Sequence, residues 1–216
     1  MRWALAIVLA AGLVACAAAP PQPAAPTPKP FRGTALAALA KLPVKGRAPK
    51  TGYARERFGD NWAHVDGCDT HERIMARDLR AETHRPGSCD VLSGRLSDPY
   101  TGTVIRYVRG GPVEVDVDHV VALGDAWQKG AQRWSPARRV KFANDPLNLL
   151  AVAASANRQK GDGDAATWLP ANKAFRCRYV ARQIAVKRRY GAWVTRAEHD
   201  AMERVLGRCP DTKLPG

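Results

Sequence analysis

Val113-Glu114-Val115-Asp116-Val117-Asp118-His119-Val120-Val121 is the stretch on which the reading of this chain turns. Apolar and acidic residues alternate along it, which is the period of a strand with one buried face. It ends on an acid and a histidine. Asn148 follows, then Asn157, with Lys160 three residues beyond. An acid, a histidine and two amides on a strand and a following helix are the parts of a one-metal phosphodiester site.

Each residue type has a reason to be there. Hydrolysis requires a water to lose its proton as it attacks phosphorus, and a neutral imidazole suits that, so His119 is the candidate general base. Asp118 is the candidate ligand for a hard divalent cation, with Asp116, of the same strand parity, as its rival. Adjacent strand residues point to opposite faces. Asp118 and His119 therefore share a site only if the chain bends between strand and loop. Glu114 reads as an exposed strand residue. Asn157 is the second candidate ligand, its oxygen leaving the ion electrophilic. Asn148, flanked by leucines, is assigned to fixing the loop that carries His119. Lys160 and Arg158 are candidate phosphate contacts, Lys160 on the helix face of Asn157. The plain alternatives are a hydrogen-bonded core histidine, a helix-surface asparagine and a solvated lysine.

The flanking pattern indicates an α+β chain. Helices are expected over residues 70–82, from 119 through Trp127, over 137–142, 153–159 and 175–190, and over 195–206. Ser135-Pro136 starts one of them, and Thr195 with Glu198 forms a capping box for the last. Strands are expected over 91–96, 103–109 and 113–117, joined by Asp98-Pro99-Tyr100-Thr101-Gly102 and Gly110-Gly111-Pro112 as an antiparallel meander. Asp162-Gly163-Asp164 lacks the rest of a calcium loop and reads as a turn. The other histidines and the scattered tryptophans read as structure or surface.

The N-terminus bounds the setting. Residues 4–14 are apolar, of signal-peptide length and too short to span a bilayer. Leu13-Val14-Ala15-Cys16 resembles a lipobox, with Cys16 the lipidated residue. Cleavage after an alanine of 17–19 is the alternative, and either route takes the chain out of the cytoplasm. Residues 17–30 hold six prolines and cannot build a core. The expected division is a signal at 1–16, a tether at 17–46, one domain at 47–209 and a tail at 210–216. Cys68, Cys89, Cys177 and Cys209 make an even set in an exported chain. Pairs Cys68–Cys89 and Cys177–Cys209 close the shortest segments. Zinc is a poor competitor, since no two of them have the spacing of a ligand pair.

The net charge of +14 suits a polyanion, by phosphate neutralisation and counterion release. Charge alone leaves a solubilising surface or anionic wall polymers open.

The chain resembles the HNH (His-Me finger, ββα-metal) endonucleases. Within them it is most similar to the secreted bacterial proteins that share the C-terminal domain of GmrSD-type restriction enzymes (the DUF1524 group). The motifs that carry this are Cys89-Asp90-Val91-Leu92-Ser93-Gly94, Asp98-Pro99-Tyr100-Thr101-Gly102, Val117-Asp118-His119-Val120-Val121-Ala122-Leu123, Asn144-Asp145-Pro146-Leu147-Asn148-Leu149-Leu150, Asn157-Arg158-Gln159-Lys160-Gly161 and Trp168-Leu169-Pro170. The resemblance implies a β-hairpin and helix around one divalent ion, His119 as base, Asp118 and Asn157 as ligands and Asn148 as loop holder. The last motif position is often His; Asn157 there favours Mg²⁺ or Mn²⁺ over softer ions. The expectation is an exported, monomeric, metal-dependent endonuclease acting on nucleic acid, DNA ahead of RNA, without sequence preference. A catalytically idle polyanion-binding surface protein is the alternative.

Overall fold

A computed structural model describes residues 33–112 and 114–215. The signal, the lipobox residue Cys16, the whole proline-rich segment, Val113 and Gly216 lie outside the described residues. The chain runs α1 (Ala35–Leu39), β1 (His64–Val65), β2 (Cys68–Asp69), α2 (Thr70–Asp78), β3 (Leu79–His84), β4 (Val91–Ser97), β5 (Val104–Val108) and β6 (Val115–His119). It continues with α3 (Leu123–Gln128), α4 (Pro136–Ala143), β7 (Leu149–Ala153), α5 (Ala154–Lys160), α6 (Arg176–Tyr190) and α7 (Arg196–Leu206). The α+β class is as expected, and both disulfides, Cys68–Cys89 and Cys177–Cys209, are formed.

Local signals place several boundaries. Ser135 Oγ accepts from Arg138 N at the start of α4, with proline in the first turn. Thr195 and Glu198 close the capping box of α7. Three expectations fail, each for a non-local reason.

The helix expected over 70–82 is α2, which ends at Asp78. Leu79 is extended, pairs with Leu96 of β4 and is buried. A Cβ on Gly94 would come within 2.6 Å of the Leu79 side chain, so the bare glycine of β4 makes room for it. Sheet pairing outweighs the helical propensity of Arg80-Ala81-Glu82.

The third strand spans Val115–His119 rather than 113–117, and it leaves the meander. The order β3-β4-β5 forms one antiparallel sheet, while β6 pairs with β7 in another. Side chains occupy the outer edge of β7. Arg77 donates to Leu149 O at 2.7 Å, Ala151 N donates to Asp78 Oδ2 at 2.8 Å, and Ala153 N donates to Asp98 Oδ1 at 2.9 Å. Those bonds satisfy the groups a third strand would have used. The hairpin β6–β7 runs directly into α5, giving a ββα unit.

The segment read as a tether reaches too far. Residues 33–46 belong to the fold: Ala35, Ala38, Leu39 and Leu42 are buried with α6 and α7. The segment read as a tail holds them, Ala35 N donating to Thr212 O at 2.7 Å.

The core has an ionic centre. Lys129 and Lys187 are both fully buried. Lys129 Nζ lies 2.5 Å from Asp125, 2.6 Å from Glu198 and 2.7 Å from Asp164; Lys187 Nζ lies 2.9 Å from both Asp125 and Glu198. Arg47 reaches Asp164 at 2.7 Å. Burial opposes the Lys187 charge, but Asp125 and Glu198 outweigh it and hold its pKa above the ordinary value. Breaking such a cluster leaves unpaired buried carboxylates. Lys129→Met is expected to destabilise by about 3–5 kcal/mol, read by urea unfolding. A change within about 0.5 kcal/mol, the level of a neutral surface substitution, would show the network to be dispensable.

Candidate functional site

Strand β6 presents two faces, and the site residues divide between them. Asp116 and Asp118 face α5. Val115 and Val117 face the core under α2 and β4, packed with Leu149 and Ala151. The strand keeps its alternation through its last residue, since Asp118 pairs with Leu150 and His119 with Leu149. No bend separates the two, so Asp118 and His119 point to opposite sides.

On the helix side, a step of two along the strand meets a step of three along α5. Asn157 Nδ2 donates to Asp116 Oδ2 at 3.1 Å. Lys160 Nζ donates to Asp118 Oδ1 at 2.8 Å and to the His119 carbonyl at 2.9 Å. Tyr100 OH donates to Asp118 Oδ2 at 2.5 Å. Burial and the Asp118 charge raise the Tyr100 pKa well above its ordinary value, so the hydroxyl keeps its proton.

This side tests the expected divalent ion. Asp118 does not fit it: both oxygens are engaged, one by an ammonium. Lys160 is almost wholly buried against Asp118, so it does not reach solvent as a phosphate contact. Asp116 and Asn157 suit a hard ion better, both being half-buried and offering a carboxylate and, with the amide turned over from its present Nδ2–Asp116 bond, an amide oxygen. Arg158 is exposed.

On the other side, His119 is buried. Its Nε2 lies 2.8 Å from the Ala143 carbonyl. A carbonyl only accepts, which assigns the proton to Nε2 and the lone pair to Nδ1. The Trp62 indole stacks on the ring, centroids 5.5 Å apart and planes within 9°. A cavity of about 180 Å³ opens here, lined by His119, Arg55, Asn61, Trp62, Ala143 and Asn144 among others. Burial is the main cause that lowers the His119 pKa, to about 4, with Arg55 and Lys160 adding to it.

The loop after His119 is tied down by Asn148, which is fully buried. Val121 N donates to Asn148 Oδ1 at 2.8 Å, Asn148 Nδ2 donates back to Val121 O at 3.3 Å, and Val120 N donates to the Asn148 carbonyl at 2.8 Å. Gln183 adds a bond to Val120 O at 3.1 Å.

Sequence reasoning missed Arg55 and passed over Trp62. Both come from a segment far from the motif in sequence. Phe58 is buried beside Trp127 and Phe142, and Arg139 donates to Arg57 O at 2.8 Å. Ala63 N donates to Asn144 Oδ1 at 2.9 Å. No local pattern signals these contacts.

With that geometry in hand, comparison with known proteins identifies the chain's relatives. Residues 69–205 match the family described as GmrSD restriction endonucleases, C-terminal domain. The chain belongs to this family. A protein of Arthroderma benhamiae (strain ATCC MYA-4681 / CBS 112371) named "Uncharacterized secreted protein" is 36% identical over 214 residues, which is 97% of this chain and 100% of the relative. No solved structure matches. The GmrSD C-terminal region holds β6, β7, α5 and His119, while Arg55 and Trp62 precede it.

The His119 environment has a measurable consequence. Its pKa is about 4 in the folded chain against 6.5 for the free side chain. Above pH 6.5 both states are neutral and stability is full. As pH falls from 6.5 towards 4, the unfolded chain takes up a proton that the folded chain refuses, so stability falls. The cost at pH 4.5 is about 2–3 kcal/mol. Urea unfolding at pH 7.5 and 4.5 should show a larger loss in the wild type than in His119→Gln by that amount. Equal losses would contradict the buried neutral imidazole.

Proposed function

We propose that this protein is an exported HNH-type nuclease that hydrolyses phosphodiester bonds of nucleic acid, DNA ahead of RNA, largely without sequence preference. Membership of a restriction-endonuclease domain family carries the reading, and the His119 cavity supplies the chemistry. His119 is neutral at physiological pH and its tautomer leaves Nδ1 free to accept a proton. Water gives that proton up as its oxygen attacks phosphorus, and the bond to the departing sugar oxygen breaks. The Ala143 carbonyl, accepting from Nε2, stabilises the imidazolium that forms. Arg55 stands beside the imidazole as a cation for the phosphate. A cavity of about 180 Å³ is smaller than a drug-sized pocket, which suits a backbone phosphate and sugar rather than a base, hence low sequence preference.

Asp116 and Asn157 would hold one divalent ion. The donor set is a carboxylate and an amide, so Mg²⁺, or Mn²⁺, is the ion proposed. Bound there, it would supply positive charge that attracts a polyanionic backbone. The excess of 34 Lys and Arg over 20 Asp and Glu supports a polyanionic substrate. The signal-like N-terminus, the two disulfides and the relative named as a secreted protein support export, with a lipid anchor on Cys16 as one route.

Plasmid DNA incubated with the purified protein and Mg²⁺ should be nicked and then linearised. His119→Ala is expected to lower the rate by about 100-fold or more, and Arg55→Ala to raise KM more than it lowers kcat. Absence of nicking with Mg²⁺ or Mn²⁺, or full activity in His119→Ala, would sink the reading in favour of a polyanion-binding protein.

A further inference from the structure

The acid beside the histidine already has a cation. Lys160 Nζ touches Asp118 Oδ1 at 2.8 Å and the His119 carbonyl at 2.9 Å, while Tyr100 holds Oδ2. The lysine side chain is 1% exposed and the aspartate 5%. Its placement is built into the fold. Lys160 is the last residue of α5, and the helix stops at Gly161, whose φ of +50° suits glycine alone. Asn157, one turn earlier, meets Asp116, so the helix engages the strand at two rungs in register. One rung carries an amide, the other an ammonium.

The two rungs differ in what they can bind. A lysine ammonium has three donors and no lone pair, so it competes with an ion rather than helping to ligate one. A divalent ion on Asp118 would face that ammonium a few ångströms away in a dry interior, where like charges repel strongly. Moving the lysine aside would break its contacts to Asp118 and to the His119 carbonyl and cost the pairing of a buried charge.

We propose that Lys160 is the resident cation of Asp118 and keeps divalent ions off that carboxylate. Asp118 and Lys160 are then positioning residues: through the His119 carbonyl they clamp the strand end that carries the imidazole. An ion taken up by the protein goes to the Asp116–Asn157 rung instead. This deepens the nuclease reading and rests on it for its purpose. Absence of cleavage would end that reading, whereas this assignment is decided by ion binding.

Two measurements test it. Mn²⁺ is titrated calorimetrically into the wild type, Lys160→Met and the double variant Asp118→Asn/Lys160→Met, which removes both charges together. Wild type and double variant should bind Mn²⁺ alike, and Lys160→Met should gain affinity by about 10-fold or more, lost again in the double variant. Loss of wild-type binding in the double variant, or no gain in a folded Lys160→Met, overturns the proposal. Should the variants not fold, paramagnetic broadening of wild-type NMR signals by Mn²⁺ decides. Loss of that broadening in Asp116→Asn, whose side chain is half-buried, supports it, and broadening unchanged in Asp116→Asn overturns it.

Discussion

Alternation along one strand governs the site. In an extended chain each side chain points opposite to its neighbour, and β6 holds that geometry through His119 because β7 pairs with it to the end. The consequence is a division of labour across the hairpin. Acids at even positions meet α5, and the histidine at the odd position meets Trp62 and the cavity. A one-residue slip would exchange the faces, placing carboxylates in the apolar core under α2. The register is therefore protected by the cost of burying charge, and with it the separation of Asp118 from His119.

Pairing of charge explains a second feature, the surplus of basic residues. Lys129, Lys187 and Arg47 are matched by Asp125, Asp164 and Glu198, and Lys160 by Asp118. Each buried cation removes an anion with it. The excess of +14 is thus carried by what remains, and the outer surface is more one-sided than the composition suggests. Four basic residues, Lys129, Lys160, Lys187 and Arg139, are interior, and Arg139 holds backbone carbonyls. The field of the protein comes from the others.

What could be read from the sequence was what is decided locally. The cap at Ser135, the capping box at Thr195 and the strand expected over 91–96 depend on residues near one another, and each was legible; the cysteine pairs were legible because an even set of four in an exported chain leaves few closures. The end of α2 depends on Gly94, the edge of β7 on Arg77, Asp78 and Asp98, and the pairing of Lys160 on a residue 42 positions earlier. Glu198 shows the limit well. As the third residue of a capping box it reads as a surface cap, yet the same carboxylate lies between two buried lysines. The candidate site followed the same rule. Asn148 bonds Val121 in the loop after His119, while the orientation of Asp118 turns on a bend that pairing with β7 forbids.

The segment before the family match has the last word on His119. An imidazole at the end of a strand would ordinarily be half in water, with a pKa near 6.5. Here Trp62 covers one face, and Phe58 anchors the turn that brings Arg55 alongside. Cover and positive charge both disfavour the imidazolium, so the base stays neutral well below neutral pH. The same cover shuts out bulk water and leaves a small opening beside a cation. A base that is weak but always deprotonated, reached through an opening sized for a phosphate, gains selectivity for what enters at the expense of basicity. The β6–β7–α5 unit places the histidine, and residues 55–62 determine which chemistry it can do.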